Sequence, residues 1–281
     1  MKMSKTLSAV EVEEFDSEVK QAYQGMSNLR NTVTFRGNVT AGTYNFRKMG
    51  KGLANQKAPQ ADVTPMDVEN SKQLATLENW NAPEYTDIFD QAGVNFDEQA
   101  ELAEAIAMAI GRREDQLIID AQLNSATTNL VGTDVGGVGT GLNVAKVRRA
   151  SKLLNALGVP MKDRHILVSA EGLEQMLGEE EATSADYNTV KALVNGELNS
   201  FVGFQFHVIE ERAEGGLPVA TNIRTGIAYH KRSTGIAVGL GPKTQVDWVP
   251  QKTSWLANGM LKAGAVARDA EGIVLVSSTE V

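Results

Sequence analysis

The chain of 281 residues contains no cysteine at all. That removes a disulfide-stapled fold, a thiolate zinc site and a thiol nucleophile from consideration. Histidine is scarce, with three in the whole sequence, and aromatic residues make up only 6%. No run approaches the roughly 18 consecutive apolar residues that a membrane-spanning helix needs. An excess of basic charge is missing too. The 27 Lys and Arg are outnumbered by 35 Asp and Glu, for a formal charge of −8 and a pI near 5.1. A dedicated nucleic-acid binder needs a basic footprint that releases counterions, so sequence-specific nucleic-acid binding is not expected. The N-terminal MKMSKTLSAVEVEEF has no apolar stretch of signal-peptide length, which points to a cytosolic site of synthesis.

What is present is an ordinary globular composition, 42% hydrophobic and 22% charged. The length suits one large core or two modest domains. Val12, Phe15, Val19 and Tyr23 recur at helical spacing and predict a short amphipathic helix over 11–30. TVTFRG, TYNFRKMG and SKQLATLENW alternate apolar and polar residues as half-buried strands do. Between the last two lies a long polar stretch with Gly50, Gly52, Pro59 and Pro65, so the segment reads as an extended two-stranded arm with a partner-binding tip.

The strongest helical pattern is DEQAELAEAIAMAIGRREDQLIIDAQLN. Asn95 and Glu98 predict a capping box, and Leu102, Ile106, Ile110, Arg113 and Leu117 form one stripe. At 1.5 Å per residue this makes a spine of roughly 40 Å. A second helix is predicted from the Asn143 cap through Val147, Ala150 and Leu154, stopped by Gly158 and Pro160. RHILVS, VGFQFHVIEE, TGIAYH and TGIAVGL read as strands, with short helices over AEGLEQMLG and TSADYNTVKALVNG. TQVDWVP, GMLKAGAVARD and GIVLVSS return the chain to strands.

Chemistry-bearing motifs were tested in turn. VGTDVGGVGTGLNVAK (131–146) has glycine spacing suggestive of a phosphate loop. Gly136 and Gly141 match the P-loop pair, but Leu142 and Asn143 stand where the Lys and the hydroxyl residue belong. Gly137 and Gly139 begin a dinucleotide fingerprint that fails at Leu142, and the residues ahead of the loop read as the end of the spine helix rather than a strand. Gly136, Gly137, Gly139 and Gly141 are therefore read as a joint or hinge, and Ala at 137 or 139 is expected to impair assembly. His165, His207 and His230 lie in strands without metal spacing and read as sheet-face residues. Asp87, Asp90 and Asp97 read as caps, Glu179–Glu180–Glu181 as a solvated run, and the terminal Thr-Glu-Val as a frayed tail. No catalytic, cofactor or metal site is expected.

Arg112, Arg113, Glu114 and Asp115 wrap charge around an otherwise apolar helix. Two readings stand side by side, a solvated face with i,i+3 pairs and an ion-pair seam between subunits. Lys48, Lys51 and Lys57 on the arm either keep an exposed strand pair soluble or reach a neighbour.

The order of elements, with TYNFRKMGKGLANQKAPQADVTPMDVENSKQLATLENWNAPEYTDIFDQ, the spine, YNTVKALVNGELNSFVGFQFHVIEE and VPQKTSWLANGMLKAGAVARDAEGIVLVS, resembles the major capsid protein of tailed bacteriophages, a fold also used by encapsulin shells. LNSFVGFQFHV and KAGAVARDAEGIVLV are most like those of short-tailed marine-type phages. The resemblance covers nearly the whole chain. It implies an α+β fold with an N-terminal arm (1–30), an extended β-hairpin loop (31–80), a peripheral domain with the spine helix (81–130), an α/β apical domain (131–242) and peripheral return strands (243–281). The implied function is self-assembly into pentamers and hexamers that form an icosahedral shell around double-stranded DNA, within the virion. The implied partners are the chain itself, a separate scaffolding protein, a portal protein at one vertex and, as an optional addition, a cement or decoration protein. Some relatives link an extended-loop lysine to an asparagine, but no matching Asn and Glu can be placed here, so no cross-link is expected. An encapsulin-like cellular shell and a nucleotide-binding α/β enzyme are the alternatives.

Overall fold

The computed structural model describes residues 29–88, 98–179 and 201–280. The helix predicted over 11–30, Asn95, Asp90, Asp97 and the helix predicted over 183–196 lie outside the described residues, apart from Leu29 and Arg30.

The chain is mixed α+β. Its elements are β1 (Thr34–Arg36), β2 (Thr43–Met49), β3 (Asn70–Thr76), β4 (Glu78–Asp87), α1 (Glu98–Leu123), β5 (Leu130–Val131), α2 (Val144–Ala156), β6 (Arg164–Val168) and α3 (Ala170–Leu177). They are followed by β7 (Phe204–Val208), β8 (Val219–Ala220), β9 (Ile223–His230), β10 (Thr234–Val249), β11 (Ser254–Ala267) and β12 (Ile273–Thr279). A four-stranded sheet runs β1-β10-β11-β4, a larger one runs β5-β12-β9-β6-β7 with β8 on β9, and β2-β3 stand apart as a hairpin.

Period-2 alternation divides the larger sheet between two cores. Leu167, Ile227, Tyr229 and Ile273 point to one side, where they meet Ile110, Ile118 and Ile119 of α1 and Ile236, Val238 and Leu261 of the four-stranded sheet. Ile166, Val168, Ala228, Val274 and Val276 point to the other side, against Val144, Val147, Ala150 and Leu154 of α2 and Met176 of α3. α1 is thus the beam that both sheets share. It has 26 residues, so it is roughly 39 Å long. It crosses the four-stranded sheet at Gly259, where a Cβ would press on Ile106 and Ile110.

Four sequence expectations change. SKQLATLENW is two strands, not one: the chain breaks at Leu77, whose N–H donates to Gly42 C=O at 2.9 Å. The break is packed against Gly264, where the Thr76 carbonyl occupies the place of a Cβ. The stretch before the glycine loop is not the end of the helix, because α1 stops at Leu123 and β5 follows, pairing in parallel with Leu275 and Val276. The segment 243–281 does not return as a whole. β10 runs unbroken through 242/243, β11 stays with it, and β12 crosses to pair with β9 in the larger sheet. That crossing is made by a 3-10 turn at Ala270–Gly272, capped by Asp269, which accepts from Glu271 N–H at 3.1 Å. Finally, the C-terminal residues are not frayed as far as Glu280, whose N–H donates to Asn222 C=O at 2.8 Å and whose carboxylate accepts from Arg224 Nε at 2.6 Å.

Candidate assembly surface

The arm is the hairpin β2–β3, paired from Thr43–Thr76 to Met49–Asn70. Its base is anchored by Phe46, Ala75 and Leu77, which bury against Ala237. Beyond Gly50, whose N–H donates to Glu69 C=O at 2.7 Å, the tip carries its apolar side chains outward. Met49, Leu53, Val63 and Met66 are between 55% and 81% exposed. Of the arm lysines, Lys48 Nζ meets Asp269 Oδ1 at 2.7 Å and Lys51 Nζ meets Glu271 Oε2 at 2.6 Å. Both partners belong to the turn between β11 and β12 of the same chain, so these two cations tie the arm to its own body. Lys57 lies on the exposed tip. Between the arm base, α1 and the end of β11 is an open groove of about 760 Å³, with Trp80, Arg113, Asp120 and Arg268 among its walls.

The spine charges reach partners that lie far along the sequence. Arg30 donates through Nε to Glu114 at 2.7 Å and through Nη2 to the same carboxylate, and that hydrogen bond raises the Arg30 guanidinium above its usual range. Leu29 N–H donates to Asp115 at 3.1 Å. Arg112 Nε donates to Glu214 at 3.0 Å, and the Arg113 guanidinium lies 4.4 Å over the Trp80 ring. Gln116, which the sequence did not single out, accepts from Gly216 N–H at 2.8 Å. Together these side chains moor the segment at 29–30, β4 and the 210–217 loop to one turn of α1. No local pattern signals partners that are 84 to 102 residues distant.

The glycine loop is closed on itself. Gly137 N–H donates to Asp134 C=O, Thr140 N–H to Thr133 C=O, and Leu142 N–H to Gln175 Oε1 at 2.7 Å. Amides that would have to face a phosphate are therefore occupied by the chain's own acceptors. Gly136, Gly137 and Gly139 have φ of +88°, +134° and +66°, and a Cβ on Gly141 would collide with Gln175. Lys146 is buried beneath the loop, with Nζ donating to the carbonyls of Thr140 (2.5 Å) and Gly141 (2.9 Å). Burial pulls its ammonium down to about 8. No local pattern signals this role, since a lysine one turn inside a helix usually faces water.

His165 and His207 are not isolated. They sit on adjacent strands with Nδ1 of the first 3.1 Å from Nε2 of the second. Burial, then the neighbouring charge of His207, holds His165 down to about 4. Among the described residues no group of three or more His, Asp or Glu is placed to hold a metal ion. No helix among them is long and apolar enough to cross a membrane.

A two-sheet body on one spine helix, with a tethered arm that exposes its apolar side chains, defines a protein built to be part of a lattice. The comparisons with known proteins say which one. The family model for phage capsid protein matches residues 7–280, and the chain belongs to that family. The capsid structure of the cyanophage P-SCSP1u is similar with a TM-score of 0.75 at 12% identity, over 97% of this chain and 94% of that one. The acidic stable capsid structure of Helicobacter pylori bacteriophage KHP30 is similar with a TM-score of 0.75 at 12% identity, over 99% of both chains. A structure of Mycobacterium phage Che8 is similar with a TM-score of 0.71 at 15% identity, over 96% and 98%. These likenesses show the shared fold and do not favour a marine-type phage over the others. No curated protein matches the sequence. The chain is a phage capsid protein, a structural component of the virion.

Proposed function

We propose that the chain assembles into pentamers and hexamers that close an icosahedral shell around packaged double-stranded DNA. The observation that carries this reading is the arm. Its base is built into the body, and its tip holds large apolar side chains out in water. A neighbouring subunit is the surface that removes them from water. In this reading the four-stranded sheet and α1 form the peripheral region, and the larger sheet with α2 and α3 forms the apical region that packs around capsomer centres. The segment 124–129 leads from one to the other, and the glycine loop lies within the apical region, between β5 and α2. A separate scaffolding protein directs curvature, a portal protein occupies one vertex, and the lattice leaves room for a cement or decoration protein. The chain supplies mechanical rather than catalytic work, and its net charge of −8 suits a wall that holds DNA without gripping it.

Purified chain, alone and with the scaffolding protein of the same phage, tests the reading by sedimentation and negative-stain microscopy. Closed particles with five- and six-fold capsomers are the expected product, migrating as unlinked monomers on a denaturing gel. A chain that stays a stable monomer under all assembly conditions would overturn it.

A further inference from the structure

The four-stranded sheet has two outer edges among the described residues, and they are built differently. β4 forms one. It carries Glu78, Glu84 and Asp87 and is interrupted by Pro83, which lacks the N–H of a ladder bond, so it is a poor template for another strand. β10 forms the other. β1 covers only Gly235–Ala237, and Val39 N–H donates to Val238 C=O at 3.1 Å. From Leu240 to Val249 no described strand lies alongside it. After irregularities between Val238 and Lys243, the strand runs in regular register from Lys243 to Val249 against Met260 to Ser254.

The faces of this segment follow from Gly259, which sits opposite Thr244 and points at Ile106 and Ile110 of α1. Thr244, Val246 and Trp248 therefore share the helix side, while Lys243, Gln245 and Asp247 share the other. Val246 and Trp248 remain 37% and 39% exposed. An uncovered edge with apolar side chains on one face is a template for another strand.

We propose that this edge pairs with the same edge of a second copy of the chain, antiparallel about a two-fold axis through Gln245. In that register Lys243 faces Asp247 of the other copy on both sides of the axis, Gln245 faces Gln245, and Thr244 faces Val246. The carboxamides are self-complementary, and the Thr–Val pairs extend the helix-side face across the junction. Moving the axis by one residue destroys the pattern. At Thr244 it would set Lys243 against Gln245 and Asp247 against Gly241; at Val246 it would set Asp247 against Gln245 and Lys243 against Val249. Parallel pairing in register would stack Lys on Lys and Asp on Asp. The two charges therefore select one arrangement of this edge. The inference rests on the shell reading, since capsomers that tile a closed shell meet across two-fold contacts in which the same patch serves both partners.

The absence of native cysteine makes the test direct. Gln245→Cys in assembled particles should oxidise to a disulfide-linked dimer on a non-reducing gel, because opposed residues of antiparallel strands bring Cα atoms within disulfide range. Lys243→Cys or Asp247→Cys alone should stay monomeric, as each is about 14 Å from its own copy. The Lys243→Cys/Asp247→Cys double variant should cross-link. Lys243→Asp should lower particle yield about tenfold, and adding Asp247→Lys should restore it, with circular dichroism checking that each variant folds. Particles that form normally but give no Gln245→Cys dimer would overturn the pairing and leave the shell reading intact. A dimer from Thr244→Cys or Val246→Cys in its place would overturn the register. Failure of the unmodified chain to form any particle would overturn both.

Discussion

At the scale of single residues, the buried ionisable groups account for much of what is specific to this chain. Glu114 is 1% exposed in the middle of an apolar helix, a position that would cost several kcal/mol for a lone carboxylate. Arg30 meets it with two hydrogen bonds, so the carboxylate is paired and a remote segment is moored by it. The sequence showed that the charges on this turn of α1 needed explaining, but not their partners, because helical periodicity carries no information about contacts across 84 residues. His165 offers the clearest test at this scale. In the unfolded chain its imidazole takes a proton near pH 6.5. In the fold, burial first and then the charges of His207, Lys231 and His230, partly opposed by Asp163, hold it down to about 4. Between those values the unfolded state binds more protons, so stability rises with pH across the window. It is fully present above about pH 6.5 and is lost as pH falls through about 4, to a total on the order of 3 kcal/mol. Urea unfolding at pH 4.5 and 7.5 should show a loss in that direction, to which His207 and His230, also lowered by burial, add, and His165→Gln should shrink it. An unchanged pH dependence in the variant would count against this account.

Elements show where local pattern suffices and where it fails. α2 begins after Asn143, whose side chain accepts from Lys146 N–H at 2.8 Å, and the sequence located that cap because capping is a matter of three adjacent residues. α1 was legible for a similar reason: its stripe repeats from Leu102 to Leu117, over about four turns. The placement of β5 and β12 was not, since both are defined by pairing with strands that are distant in the chain. The glycine loop combines the two cases. Its glycines were visible, but not what surrounds them. A Cβ on Gly136 would run into the Asn143 amide, which also donates to Val135 C=O at 3.1 Å, whereas a Cβ on Gly139 meets nothing. Gly136→Ala should therefore combine left-handed strain of about 1 kcal/mol with loss of a cap worth about 1 kcal/mol. Gly139→Ala should show the strain alone, about 1 kcal/mol. Thermal unfolding of the two variants separates these cases, and equal losses would mean that the cap tolerates displacement.

At the scale of the whole molecule, the body and the arm follow different rules. The body buries two cores around α1, and each sheet is covered on at least one face. The arm beyond Gly50 buries almost nothing: residues 51–67 are exposed throughout. Stability and assembly should therefore separate along the chain. Joining Gly50 to Glu69 through an Asn-Gly turn removes 51–68 at a point where the hairpin is already closed by the Gly50 to Glu69 hydrogen bond. The change deletes the Lys51–Glu271 pair, which is largely exposed and screened by water. It also shortens a loop, which slightly favours folding. The Lys48–Asp269 pair and the Phe46 anchor remain. The shortened chain should unfold within about 1 kcal/mol of the full chain, since so little of the deleted surface is buried in the subunit. It should nevertheless fail to close shells, because Leu53, Val63 and Met66 are the side chains the body leaves for a neighbour. Calorimetry of the dissociated chain and microscopy of the assembly reaction read the two effects independently. A shortened chain that folds and still closes shells of normal size would show that the tip is dispensable to the lattice, and the contact that holds neighbouring subunits together would then have to lie on the body itself.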